Sequence, residues 1–64
     1  MTTEYAYKLG ERARRAEARG DEDGARVLVR DVVRAATELS RRGRRDQADA
    51  LCTAFEHGCH GEEG

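Results

Sequence analysis

Ala25-Arg26-Val27-Leu28-Val29-Arg30-Asp31-Val32-Val33-Arg34-Ala35-Ala36-Thr37-Glu38-Leu39 is the stretch that decides the fold. At about 100° per residue, its apolar side chains other than Val27 fall in one arc of roughly 160°. That arc is wider than the apolar stripe of an ordinary surface helix, so it predicts a central helix touching two neighbours. Arg26, Arg30, Arg34 and Arg41 lie opposite the arc, with Asp31 and Glu38 beside them. Asp21, Glu22 and Asp23 come just before, offering an N-cap and negative charge at the positive end of the helix. Arg41 and Arg42 suit the negative end, and Gly43 suits a left-handed C-terminal cap.

Working outward, a third helix is predicted from about Asp46 to His57. Asp46 serves as its cap, with Asp49 three residues on as a weak capping box. Ala48, Leu51, Cys52 and Phe55 share one face at helical spacing. Gly58 is expected to end this helix and to turn Cys59 back onto Ala54.

Upstream, Glu11 to Arg19 is rich in helix formers and stops at Gly20. Tyr5, Leu9, Ala13 and Ala16 extend one apolar face back to a cap at Thr2 or Thr3, leaving Tyr7 facing away. Gly10 inside that helix costs about 1 kcal/mol relative to Ala. Residues 3–9 also read as a strand, because Thr3, Tyr5, Tyr7 and Leu9 alternate onto one side. Helix is the preferred reading, since a lone strand has nothing to pair with. Arg19-Gly20, Asp23, Ala25 and Leu28 recur as Arg42-Gly43, Asp46, Ala48 and Leu51, 23 residues later. This offset is shorter than the period of about 34 residues in tetratricopeptide repeats, and it marks successive glycine-ended helices.

The chain has 64 residues, of which 39% are charged and only 5% aromatic, with no Pro and no Trp. A chain of this size makes one domain and buries only about 60% of its unfolded surface. The expected fold is therefore all-α: a small antiparallel three-helix bundle over residues 1–58, a helical hairpin plus a third helix. Residues 59–64 are expected to form a short flexible acidic tail. The modest core favours self-association, so a homodimer is expected, with Tyr7 and Val27 covered by the partner. No apolar run reaches the roughly 18 residues of a membrane span, and no secretory leader is evident. Both point to a cytoplasmic protein without membrane attachment.

Motifs of chemistry are sparse. No phosphate loop, nucleophile elbow or histidine–carboxylate helix motif is present, so the chain is read as non-enzymatic, with no catalytic residues and no cofactor. Cys52, His57, Cys59 and His60 are the residue types of a zinc site. Their spacing argues against one, because Cys52 and His57 stand about 140° apart on a helix and no CxxC pair occurs. The stronger candidates are arginines. Arg26, Arg30 and Arg34 run at i, i+4 and i+8, and Arg41, Arg42, Arg44 and Arg45 flank Gly43. Guanidinium groups arranged in this way suit carboxylates or phosphates on a partner. The plain alternative is that the Arg excess reflects a GC-rich coding genome, as expected for a small protein of a GC-rich bacterium or phage.

The expected function is that of a regulatory or adaptor protein that binds another protein, with an acidic surface on that partner as the expected contact. An alternative reading takes residues 3–9 as a strand, in which case the order strand, helix, helix over residues 3 to about 42 resembles a ribbon-helix-helix DNA-binding regulator. That resemblance implies that Glu4, Ala6 and Lys8 face the bases, a set that lacks the polar, basic character of such a strand. A small zinc-stabilised module is the other alternative. The formal charge of −1 conceals opposed blocks. Residues 12–45 carry eleven Arg against six acids, a balance of +5, and residues 46–64 carry five acids and no Lys or Arg.

Overall fold

The computed structural model describes residues 1–61. Three helices follow one another: α1 (Thr3–Ala18), α2 (Glu22–Arg41) and α3 (Arg45–His60). Residues 3–9 are helical, and there is no strand among the described residues. Thr2 caps α1 by accepting a hydrogen bond from the Tyr5 amide at 3.1 Å. Asp21 caps α2 by accepting one from the Gly24 amide at 2.9 Å.

Both interhelical turns are built the same way. The Gly20 amide donates to the Glu17 carbonyl at 2.9 Å, and the Asp21 amide donates to the Ala16 carbonyl at 2.8 Å. At the next turn the Gly43 amide donates to Ser40 at 3.0 Å and the Arg44 amide to Leu39 at 2.8 Å. These are paired Schellman bonds, and they require the left-handed φ of 79° at Gly20 and 78° at Gly43. The repeat read from the sequence is thus a repeated turn followed by an inward Ala–Leu pair.

The core is made mostly of alanine. Ala6, Ala13, Ala16, Ala25, Ala36 and Ala48 are buried alongside only four larger side chains, Leu9, Val32, Leu51 and Phe55. Small side chains let backbones approach closely, and α1 and α3 do so at Gly10 and Gly58. A β-carbon on Gly10 would strike the Phe55 carbonyl oxygen and lie 2.9 Å from the Cys59 nitrogen. One on Gly58 would strike the Tyr7 carbonyl oxygen and lie 3.0 Å from the Gly10 α-carbon. The two glycines therefore form a backbone-to-backbone crossing that no other residue fits.

This crossing corrects several expectations. Gly58 is an interior, buried position, and α3 continues through Cys59 and His60 to a left-handed cap at Gly61, φ 70°. Cys59 packs against the core from within the helix instead of turning back beyond its end. Residues 59–61 of the supposed tail thus belong to α3 and its cap, and residues 62–64 lie outside the described residues. Because Gly10 must face α3, the buried side of α1 is Ala6, Leu9, Gly10, Ala13 and Ala16. Tyr5 is consequently turned outward and half exposed, whereas Tyr7 is partly buried and has an interaction partner.

The start of α3 also differs from the reading of Asp46 as a cap. Arg44 occupies the N-cap position, without a side-chain hydrogen bond, and Asp46 lies in the first turn. Cys52, expected in the core, is exposed.

Candidate functional site

α2 determines what the molecule presents. The wide apolar arc is only partly used: Ala25, Val32 and Ala36 are buried, and Leu28, Ala35 and Leu39 are half-buried against the core. Val29 is 43% exposed and Val33 52%. The glycine crossing explains this division. With α1 and α3 drawn together, α2 packs over one side of the pair, and the Val29–Val33 edge of its arc overhangs. Val27, from the opposite face, is likewise 52% exposed. One helix thus exposes three valines.

The predicted arginines are all exposed, but they do not form a single patch. A stripe at i, i+4, i+8 rotates by about 40° per step, so Arg26, Arg30 and Arg34 wind across the outward face. Arg26 lies beside Val29 in an open groove of about 540 Å³ that also touches Glu17 and Glu22. Arg34 and Arg41 share a smaller groove of about 240 Å³ with Val33, Thr37 and Glu38. Arg42 is engaged by Glu38 across one helical turn at 3.9 Å, an exposed pair of small energetic consequence. Among the described residues, Arg26, Arg30, Arg34, Arg41, Arg44 and Arg45 make no ion pair with a carboxylate.

The turn Arg41–Arg45 divides into unlike halves. Arg41 and Arg42 close α2, where positive charge is favoured. Arg44 and Arg45 open α3, where the helix dipole opposes positive charge and where an Asp or Ser would have supplied a cap. Complementing the helix ends therefore accounts for the first pair only.

A further basic cluster was not singled out in the sequence. Arg12, Arg15 and Arg19 line an open groove of about 510 Å³ between α1 and α2, opposite Val27 and Leu28. The spacing i, i+3, i+7 was its signal, masked by the neighbouring Arg14 on another side of the helix. Arg14 instead reaches Gly61 at the end of α3.

Elsewhere the chemistry is limited. Cys52 is exposed and Cys59 half-buried, and both are free thiols. Burial, followed by the charges of Glu17 and Glu56, raises the Cys59 thiol above its ordinary range. Among the described residues, no three His, Cys, Asp or Glu side chains come together as metal ligands. No helix among the described residues is long and apolar enough to cross a membrane. Compared with protein-family models, curated proteins and solved structures, the chain matches none.

Proposed function

We propose that this chain is a small, non-enzymatic regulatory or adaptor protein that acts by binding another protein, with an antiparallel three-helix bundle as its scaffold and a homodimer as its working form. One observation carries the reading: α2 exposes Val27, Val29 and Val33 near Arg26, Arg30, Arg34 and Arg41, which have no carboxylate partner among the described residues. Apolar side chains bordered by unpaired guanidinium groups match the composition of binding surfaces, where Arg is enriched and water is excluded around apolar anchors. Arg44 and Arg45 add support, because they stand where the fold itself disfavours positive charge. The favoured partner surface is acidic, since guanidinium–carboxylate pairs give both geometry and charge complementarity.

The ribbon-helix-helix alternative is not favoured, because residues 3–9 belong to α1 and no strand is found among the described residues. The test is affinity capture from native lysate with and without nuclease, alongside the variant R44E/R45E. A nuclease-resistant protein partner, lost from the folded variant, is the expected result. A partner released by nuclease, or one retained by the variant, overturns the reading of the arginine turn. Sedimentation equilibrium showing a monomer at micromolar concentration overturns the homodimer.

A further inference from the structure

We infer that the groove between α1 and α2 is the docking site for a second copy of this chain, whose acidic α3 face it receives. The inference rests on the homodimer reading above and supplies its contact surface.

The groove side is built from Arg12, Arg15 and Arg19 on one wall and Val27 and Leu28 on the other. None of these arginines has an ion-pair partner among the described residues. The single carboxylate in the lining, Asp21, is engaged at the Gly24 amide as the cap of α2. The groove therefore presents positive charge around an apolar strip that includes the half-exposed Val27.

The complementary side is on α3. Asp49 and Glu56 lie seven residues apart on its outward face, with the small, exposed Cys52 between them. No Lys or Arg follows Arg45 in the chain. Neither carboxylate forms an ion pair with any described residue, despite eleven arginines in the same molecule. The opposed charges are thus placed on surfaces that do not meet within one copy.

Two facts favour a second copy over an unrelated acidic partner. The formal charge of −1 leaves almost no long-range repulsion between copies. In addition, every copy carries both surfaces, so a two-fold pair makes the contact twice and matches both sets of charges.

The test uses the full chain and charge exchange. Wild-type protein is expected to sediment as a dimer that weakens roughly tenfold or more when NaCl rises from about 50 to about 500 mM. R12E/R15E alone and D49R/E56R alone should each be monomeric, with helical circular dichroism showing that they fold. An equimolar mixture of the two should form a heterodimer, since both contacts regain opposite charges. A wild-type dimer indifferent to salt, a variant that dimerises like wild type, or a mixture that stays monomeric overturns the docking surface. In those cases a persisting wild-type dimer leaves the homodimer reading intact. A wild-type monomer at micromolar concentration overturns both. If either variant fails to fold, the salt dependence of the wild-type dimer decides alone.

Discussion

Gly10 shows how one residue sets the placement of many. Judged by helix propensity it is a defect costing about 1 kcal/mol, yet it sits where α1 and α3 touch backbone to backbone. Replacing Gly10 or Gly58 with Ala should destabilise the fold by about 1–3 kcal/mol through overpacking, despite the better propensity of Ala. Urea titration followed by circular dichroism checks this, and stabilisation of either variant contradicts the crossing. Both glycines were visible in the sequence, Gly10 as a costly interior residue of the first helix and Gly58 as the expected end of the third. Their meeting was not, because it depends on the rotation of α1, which also decides that Ala6 is buried and Tyr5 is not. The cysteines differ too: α3 turns Cys52 outward, against expectation, and packs Cys59 against the core from within the helix. Burial and the nearby Glu17 and Glu56 carboxylates hold Cys59 in its thiol form, so iodoacetamide at mildly alkaline pH should label Cys52 before Cys59, as read by peptide mass spectrometry. The sign follows from the raised folded-state value. The stability tied to the neutral Cys59 thiol is fully present below the unfolded pKa and is lost as pH rises through the folded one.

At the scale of elements, α2 was legible because its long arc of apolar residues and its acidic lead-in agree with each other. Asp21 provides the cap, and Asp21→Ala should cost about 1 kcal/mol by freeing the Gly24 amide. The start of α3 was harder to place, because Asp46 has the residue type of a cap but stands two positions inside the helix. The Schellman bonds at Leu39 and Ser40 fix where the turn ends and leave Arg44 at the N-cap. Under the proposed function, this arrangement separates stability from binding. Arg44→Asp introduces a capping carboxylate and removes a charge that opposes the helix dipole, so it should stabilise the domain by about 1 kcal/mol in a urea titration. The same change should weaken partner capture, the pattern expected where function is retained at the expense of stability. A variant that is neither stabler nor poorer at binding would show Arg44 to be an ordinary exposed residue.

For the whole molecule, the controlling fact is how little large apolar volume the core contains. Among the described residues, six of the ten buried apolar residues are alanines, and no large side chain is fully enclosed. The extents of 37 × 24 × 12 Å describe a flattened body, which offers broad faces relative to its thickness. The sequence showed the number of helices and most inward positions but not which part of the arc on α2 would be left over. That remainder follows from how closely α1 and α3 pair, a long-range consequence of two glycines. A domain of this size is stable by only about 3–10 kcal/mol, so single core residues carry a large share. Phe55, the one aromatic residue in the buried cluster, is the decisive case. Phe55→Ala should remove about 3–5 kcal/mol and lower Tm by more than about 10 °C. Association acts in the other direction: a dimer that only the folded chain can form stabilises it by mass action, about 2.7 kcal/mol when the partner exceeds Kd a hundredfold. Thermal melts by circular dichroism over a hundredfold range of protein concentration should therefore show a rising Tm for the wild-type chain. Phe55→Ala should be largely unfolded at the dilute end and regain helix at the concentrated end. A Tm independent of concentration in both proteins would mean that the thin core suffices on its own and that the exposed faces of α2 contribute nothing to self-association.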